Sequence, residues 1–152
     1  MSGNETSDYK EVLVAVDLSD DVNSALQRAV ERVGAGATVS LVHVLEPAHY
    51  YYGLEPALGT LPPSFEDDLL KRATAGLADV GRRFGVPPAR QYLDRGHAPT
   101  QILRLAEDKG VDLIVVGSHG RQGWRLLLGS TANAVLHGAR CDVLAVRVGS
   151  PA

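Results

Sequence analysis

The sequence predicts an α/β fold: an open, mostly parallel five-stranded sheet of Rossmann-like type, with helices on both faces. Five runs typical of strands alternate with segments of helical periodicity along the chain, which is the main observation behind this prediction. The first and fourth runs are apolar almost without interruption at their centres, as in parallel strands that are covered on both faces. Aromatic residues make up only 5% of the chain, so the core has to be built from Val, Leu, Ile and Ala.

The predicted strands differ in character along the chain. The third run is more polar than the others, and the last alternates apolar and polar residues, which suits a sheet edge or a contact between subunits. Because crossovers between parallel strands are right-handed, the expected strand order is 3-2-1-4-5. The predicted strands cover residues 11–17, 37–46, 89–96, 111–118 and 141–148.

The segments between the strands have the apolar periodicity of helices. The first helix has Ser19 or Asp20 as its N-cap candidate, and the third carries Pro99 in its first turn, where proline is tolerated. The predicted helices cover residues 19–34, 64–85, 98–110 and 130–139, and the first three end on a glycine. The buried stripe predicted for the second helix consists of Phe65, Leu69, Ala73, Leu77 and Val80.

The chain of 152 residues suits one domain, and no linker or internal repeat divides it, so residues 1–152 are expected to form a single unit. Residues 1–8 are expected to be a flexible tail. Residues 47–63 form the one long irregular segment, a feature typical of functional lids or mobile loops.

Composition and charge argue against several classes of function. The 15 Lys and Arg residues and 18 Asp and Glu residues give a net charge of −3 without a basic block, which argues against nucleic acid as the main partner. No apolar run approaches the roughly 18 residues of a membrane span, and the N-terminus lacks the apolar segment of a signal peptide. Cys141 is the one cysteine, expected to be a small buried residue, so no internal disulfide can form. These features predict a cytoplasmic protein.

The glycine-rich segment "GSHGRQGWRLLLGSTAN", residues 117–133, follows the fourth predicted strand. In open α/β sheets a ligand binds beyond the carboxyl ends of the strands where the strand order reverses, here between the first and fourth strands. Asp17 ends the first predicted strand, and its carboxylate can accept hydrogen bonds from ribose hydroxyls. Gly117, at the end of the fourth, and Gly120 allow positive φ and close backbone approach, so that successive N–H groups point at one anion.

A second feature of this segment is Gly129-Ser130-Thr131 at the start of the last predicted helix. Free N–H groups and the positive end of the helix dipole favour phosphate at such a place. Ser130 either adds a hydroxyl donor to the phosphate site or simply caps the helix. The residues therefore predict a phosphate cradle, with helix capping as the alternative.

Motifs for several other chemistries are absent. Neither G-x-x-x-x-G-K-[ST] nor a G-x-G-x-x-G after the first strand occurs, so the chain is neither a P-loop NTPase nor an ordinary dinucleotide dehydrogenase. The G-x-S-x-G elbow of many hydrolases is also missing. The five histidines lack the spacing of zinc ligands; His43 falls within a predicted strand and His119 in the glycine-rich loop.

The segments "VLVAVDLS", "VSLVHVLE", "GHAPTQILRLAEDKGVDLIVVGSHGR" and "LLLGSTANAVLHGARCDVLAVR" together resemble the universal stress protein family. The resemblance extends over about residues 9–148, and the C-terminal third of the chain carries most of its specificity.

This resemblance implies a site for ATP, with Mg²⁺ or Mn²⁺ shared between the phosphates and the protein. Asp17 would contact the ribose, Val44 would offer backbone groups to adenine, and Ala15 would line the base pocket. The resemblance also implies a homodimer formed through residues 141–148. The residues that would hold the phosphates are Gly117, Gly120, Gly129, Ser130 and Thr131.

The spacing within the glycine-rich segment leaves more than one hypothesis open. Residues 121–128 are eight in number, one fewer than in the family's nucleotide-binding pattern. The leading hypothesis is a small cytoplasmic stress-response protein that binds ATP or a related adenine nucleotide as a sensor or regulator, with an unidentified protein partner. The alternative is a nucleotide-free dimeric interaction protein with a degenerate phosphate loop.

An enzyme such as an adenylyl or phosphoryl transferase is a third hypothesis, because a fold by itself does not fix an activity. The sequence offers no convincing general base, arginine finger or means of positioning a water molecule. We therefore expect slow ATP hydrolysis or autophosphorylation at most, and the sequence assigns no catalytic residue.

Overall fold

The computed structural model describes residues 8–18, 20–46, 63–119 and 129–148. The predicted tail and the predicted irregular segment 47–63 lie outside these ranges, apart from Asp8 and Pro63. Gly120 and residues 121–128 also lie outside them, so the middle of the glycine-rich segment stays a prediction from sequence.

Strands and helices alternate along the described chain as the sequence predicts. The strands are β1 (Glu11–Ala15), β2 (Thr38–Leu45), β3 (Gln91–Arg95), β4 (Leu113–His119) and β5 (Asp142–Val148). The helices are α1 (Asp20–Val33), α2 (Pro63–Phe84), α3 (Ala98–Asp108) and α4 (Ser130–Gly138). Of the helices that the structure describes, none is both long and apolar enough to span a membrane.

The strands form one parallel sheet in the order β3-β2-β1-β4-β5, which confirms the predicted order. The central strand β1 is covered on both faces, as predicted, because Val12, Leu13 and Val14 are each no more than 1% exposed. β5 lies at the edge and pairs with β4 along its whole length, which confirms the prediction of an edge strand.

Two apolar clusters cover the two faces of the sheet. One packs α1 and α2 against the face that carries Val12 and Val14, which we call the α1/α2 face. The other packs α3 and α4 against the face that carries Leu13, the α3/α4 face. Successive side chains of a strand point to opposite faces, so alternate residues along each strand pack against different pairs of helices.

Helix α2 differs from its predicted stripe at its amino-terminal end. Ala73, Leu77 and Val80 are buried as predicted, but Phe65 is 38% exposed. Leu18, which follows the end of β1, lies beside Gly76: a Cβ on that glycine would be 3.1 Å from Leu18 Cδ2. The first turns of α2 therefore lie near the carboxyl edge of the sheet, and none of the described strands covers Phe65.

The opposite, amino-terminal edge of the sheet is held by Asp112. Its carboxylate accepts hydrogen bonds from the backbone N–H of Lys10 at 2.8 Å and of Glu11 at 2.9 Å, which ties the start of β1 to the start of β4. Partial burial on its own raises the pKa of this carboxyl, but the backbone donors, with Lys10 and Glu11 foremost, outweigh burial and lower the pKa.

We predict that Asp112→Asn lowers the free energy of unfolding by about 1 kcal/mol at pH 7, because one charge-assisted acceptor is lost. Since folding lowers the pKa of Asp112, its carboxylate stabilises the fold above the ordinary pKa of about 3.9, and this contribution disappears as the pH falls below that value. Urea unfolding of both proteins at pH 7 and pH 3 measures the difference. A difference that is equally large at pH 3, or absent for Asp112→Asn but present for the exposed control Asp108→Asn, would contradict the assignment.

Candidate functional site

The candidate site lies at the carboxyl end of β1. Ala15 is the last paired residue, opposite Val42, and the N–H of Val16 makes one more bond, to the Val42 carbonyl at 2.8 Å. The strand therefore ends before Asp17, two residues short of the predicted span 11–17. Its neighbour β2 continues to Leu45, so β2 extends beyond β1 at the carboxyl edge.

The backbone of Val44 borders the gap that this difference in length leaves. The Val42 carbonyl points towards β1, where it accepts from Val16, whereas the Leu45 carbonyl points towards β3, where it accepts from the N–H of Gly96 at 3.0 Å. Backbone groups alternate sides along a strand of a parallel sheet, so the N–H and C=O of Val44 point to the β1 side, as those of Val42 do. β1 has turned away at this level, and these two groups face the space beyond its end.

Asp17 lies at the first turn beyond β1, on the border of the same gap. Its Oδ1 accepts a hydrogen bond from the N–H of Leu18 at 2.6 Å. The carbonyl of Asp17 accepts a bond from the Nδ2 of Asn23, in the first turns of α1, at 2.5 Å. The Asp17 carboxylate is thus attached to a turn that a helix side chain holds in place.

Ala15 and Val44 lie on the α3/α4 face, where both pack partly buried against the cluster that contains Ala132 and Val135 of α4. On this face α3 packs against β2 and β3, and α4 packs against β4 and β5. The sequence-predicted contacts for the base and the predicted phosphate helix therefore lie on the same face of the sheet.

The start of α4 presents backbone donors rather than a side-chain cap. Gly129 is the N-cap residue, with φ 78° and ψ 151°, a conformation that favours glycine, and it has no side chain that could cap the helix. Ser130 is the first helical residue and is exposed, so the alternative prediction that it caps the helix is wrong. Ser130 and Thr131 instead carry N–H groups of the first turn, which have no acceptor within a helix.

Gly117 differs from its prediction in both place and conformation. It lies inside β4, opposite Val146, and the strand continues to His119 rather than ending at the glycine. Its φ is not positive, unlike that of Gly129. A Cβ on Gly117 would approach Val148 Cγ2 and Val22 Cγ1, each at 3.3 Å, so the α1/α2 face has no room for a larger residue there. Packing beneath α1 thus gives a reason for this glycine that needs no ligand.

The two histidines near this edge also have defined places. His43 lies within β2, as predicted, and its Nδ1–H donates to the Val16 carbonyl at 3.0 Å. His119 is the last residue of β4, not part of the loop as predicted. In the described ranges, no group of three or more His, Cys, Asp or Glu side chains could hold a metal ion.

Sequence reasoning did not single out Asn23, which contacts the turn that carries Asp17. The side chain is 2% exposed and lies between Val22 and Leu26 on the buried side of α1. Its polar carboxamide on an otherwise apolar helix face was the signal that could have identified it.

A cavity of about 170 Å³ lies at the opposite end of the sheet, between the ends of α3 and α4. Leu103, Ile114 and Cys141 are among its apolar lining residues, and the exposed ion pair of Arg140 with Glu107, at 3.3 Å, lies at its border. Burial, followed by the Asp142 and Asp112 carboxylates, raises the pKa of the Cys141 thiol, which keeps it in the less nucleophilic protonated form.

Comparison with known proteins identifies the family. Residues 8–147 match the family model described as the universal stress protein family. The chain belongs to the universal stress protein family. It is 40% identical over 145 residues to universal stress protein A homolog 2 of Coxiella burnetii, an alignment that covers 92% of this chain and 96% of that one.

Solved universal stress proteins share the fold. The structure of UspA from Lactobacillus plantarum has a TM-score of 0.68 and 26% identity, covering 91% of this chain and 98% of that one. A universal stress protein solved in complex with cAMP has a TM-score of 0.61 and 23% identity, covering 91% of this chain and 97% of that one.

In this universal stress protein we predict that Gly117→Val lowers the free energy of unfolding by about 1–3 kcal/mol, because the added methyl groups collide with Val22 and Val148. Chemical denaturation without any nucleotide measures the effect. Ala75→Leu adds side-chain volume at an exposed site on α2, away from this packing, and serves as the control. If Gly117→Val unfolds at the same denaturant concentration as the parent, the packing explanation is wrong.

Proposed function

We propose that this universal stress protein binds ATP or a related adenine nucleotide at the carboxyl edge of the sheet, between β1 and β4, and acts as a sensor or regulator. The observation that carries the proposal is the early end of β1, which leaves the backbone N–H and C=O of Val44 without a strand partner on the β1 side among the described residues. An adenine ring offers one donor and adjacent acceptors along its edge, which suits a strand backbone whose two groups are not paired by a neighbouring strand. The uncapped first turn of α4 supports the phosphate end of the same ligand.

In this proposal each part of the nucleotide meets a different element. Adenine lies against Val44 and Ala15, and the ribose hydroxyls donate to the Asp17 carboxylate. The phosphates lie at the start of α4, with its N–H groups and the Ser130 hydroxyl as donors. The proposed phosphate contacts are Gly120, Gly129, Ser130 and Thr131, of which Gly120 lies outside the described residues. Gly117, which the sequence also predicts here, pairs inside β4 and packs beneath α1, so it is not included.

A divalent ion, Mg²⁺ or Mn²⁺, would accompany the triphosphate. Because the described residues do not bring three acidic or histidine side chains together, phosphate oxygens would supply most of its ligands, with hydroxyls of Ser130 and Thr131 within the same helix turn. We propose nucleotide occupancy, rather than rapid turnover, as the signal that a regulatory partner detects in the cytoplasm.

We expect isothermal titration with ATP and Mg²⁺ at two temperatures to detect binding by the parent protein. Asp17→Asn should weaken binding about tenfold or more, because hydrogen bonds to a charged acceptor contribute about 1.5–3 kcal/mol. Ser130→Ala, which removes one neutral donor, should weaken binding only severalfold. Asp108→Asn, an exposed aspartate at the end of α3, is the matched control and should bind as the parent does.

Absence of binding heat at both temperatures for ATP, ADP and cAMP would refute the proposal. cAMP is included because a related structure contains it, and because it keeps the adenine and ribose while lacking a triphosphate. Binding of cAMP alone would retain an adenine-nucleotide site but exclude the assignment of α4 to a triphosphate.

A second candidate function is a nucleotide-free dimeric interaction protein. Two observations favour it: residues 121–128 are one residue short of the nucleotide-binding pattern, and packing against Val22 and Val148 accounts for Gly117 without a ligand. The titration above distinguishes the two candidates, since this one predicts no binding of any adenine nucleotide.

We also propose a homodimer formed through β5. Within the described residues no strand covers the outer edge of β5, and an uncovered edge readily pairs with another chain. In a two-fold contact through the middle of a strand, the central residue lies near the axis and meets its own copy. That residue is Ala145, which is exposed.

Ala145→Glu should therefore shift the protein from dimer to monomer in analytical ultracentrifugation, because two carboxylates would face each other near the axis. Ala75→Glu, at an exposed site on α2, is the control and should remain dimeric. A parent protein that sediments as a monomer at all concentrations, or an Ala145→Glu protein that stays dimeric, would contradict this interface.

A further inference from the structure

One peptide group beyond β1 is held from both of its ends. The carbonyl of the Asp17–Leu18 peptide accepts from Asn23 Nδ2 at 2.5 Å, and its N–H donates to Asp17 Oδ1 at 2.6 Å. A peptide group is a rigid plane, so bonds at opposite ends fix its rotation. The preceding carbonyl, that of Val16, is held by His43 Nδ1–H at 3.0 Å. Side chains, rather than a strand partner, thus determine the course of this turn.

The buried position of the Asn23 side chain carries a cost in folding free energy. The side chain is 2% exposed on the apolar side of α1, next to Val22 and Leu26, and burial of a carboxamide is costly unless its groups are hydrogen-bonded. Its Nδ2 bonds to Asp17, but its buried Oδ1 has no hydrogen-bond partner among the described residues. A leucine would fill this place without that cost, so stability alone does not explain the asparagine.

We propose that Asn23 is a positioning residue, which orients the Asp17 carboxylate through the Asp17–Leu18 peptide and thereby sets selectivity for a sugar with free hydroxyls. This inference rests on the proposed nucleotide site and deepens it. Asp17 Oδ1 is bonded to the N–H of the same peptide whose carbonyl Asn23 holds. Rotation of that peptide moves the carboxylate with it, so loss of the Asn23 amide removes one restraint on the orientation of both.

The proposed effect of Asn23 on affinity is confined to the contact with the ribose hydroxyls of the nucleotide. Contacts of adenine with the Val44 backbone and of phosphates with the start of α4 do not pass through the Asp17–Leu18 peptide. A protein without the Asn23 amide should therefore retain its affinity for a nucleotide that lacks ribose hydroxyls. It should lose only the additional affinity that the hydroxyls provide.

The test compares ATP with 2′,3′-dideoxy-ATP, each with Mg²⁺, by isothermal titration to the full chain. The parent should bind ATP at least about tenfold more tightly, since the hydroxyls donate to a charged acceptor. In Asn23→Leu this ratio should fall to about twofold or less, while the Kd for dideoxy-ATP stays within about twofold of the parent value. Thermal unfolding of Asn23→Leu should not begin at a lower temperature, because the unpaired buried oxygen is removed as well.

Gln27→Leu is the matched control. Gln27 lies one turn further along α1, and its Nε2 donates to a backbone carbonyl as well, that of Arg83 at 3.1 Å. The control removes a similar amide-to-carbonyl bond from the same helix, away from the proposed site. Its ratio of affinities for the two nucleotides should equal that of the parent.

Three results would overturn the inference, and they separate it from the proposed function. An unchanged ratio in Asn23→Leu leaves nucleotide binding intact but reduces Asn23 to a structural role. Equal affinity of the parent for both nucleotides refutes the role of Asp17 at the ribose, and with it that of Asn23. Absence of binding by the parent refutes the proposed function itself.

A measurement on the parent protein covers the case in which Asn23→Leu does not fold. In ¹H–¹⁵N spectra, ATP should change the chemical shifts of the Leu18 amide and the Asn23 side-chain amide more than dideoxy-ATP does. Only ATP has ribose hydroxyls that can donate to the Asp17 carboxylate, which is linked to both amides. Identical shifts from both nucleotides at these two groups would also overturn the inference.

Discussion

The unequal lengths of two neighbouring strands are the constraint on which the candidate site depends. β1 makes its last bond to β2 at Val16, whereas β2 continues to Leu45. A parallel sheet in which both strands ended together would pair the backbone groups of Val44. Because β1 ends early, those groups are directed into the space beyond its end, where we propose that the adenine binds.

The two faces of the sheet have different roles at this edge. On the α1/α2 face, Gly117 provides the close approach that Val22 and Val148 require, and this face is filled by packing. On the α3/α4 face lie the partly buried Ala15 and Val44, with α3 packed on β2 and the first turn of α4 beginning over β4 and β5. The glycine of β4 therefore helps to stabilise the framework, and the groups suited to a ligand lie on the opposite side.

The fold could be predicted from sequence because its determinants are local: apolar runs of strand length, helical periodicity and the handedness of crossovers. The positions of Asp17, just beyond β1, and of the start of α4 could be predicted for the same reason, whereas their contacts with a ligand stay a prediction. The role of Gly117 could not, because it depends on α1 and β5, which reach β4 from distant parts of the chain. The position of Asn23 on the apolar face of α1 was a signal in the sequence, but its partner could not be predicted, because the hydrogen bond across the turn to Asp17 depends on the folded chain.

Amide hydrogen exchange at Val44, with Val42 as an internal reference, tests the central claim most directly. Val42 lies within the paired part of β2 and should exchange slowly with or without ATP. If the Val44 backbone binds adenine beyond the end of β1, its amide should exchange faster than that of Val42 in the free protein and should slow severalfold or more when ATP saturates the site. A Val44 amide that exchanges at the same rate in saturating ATP as in the free protein would contradict this account.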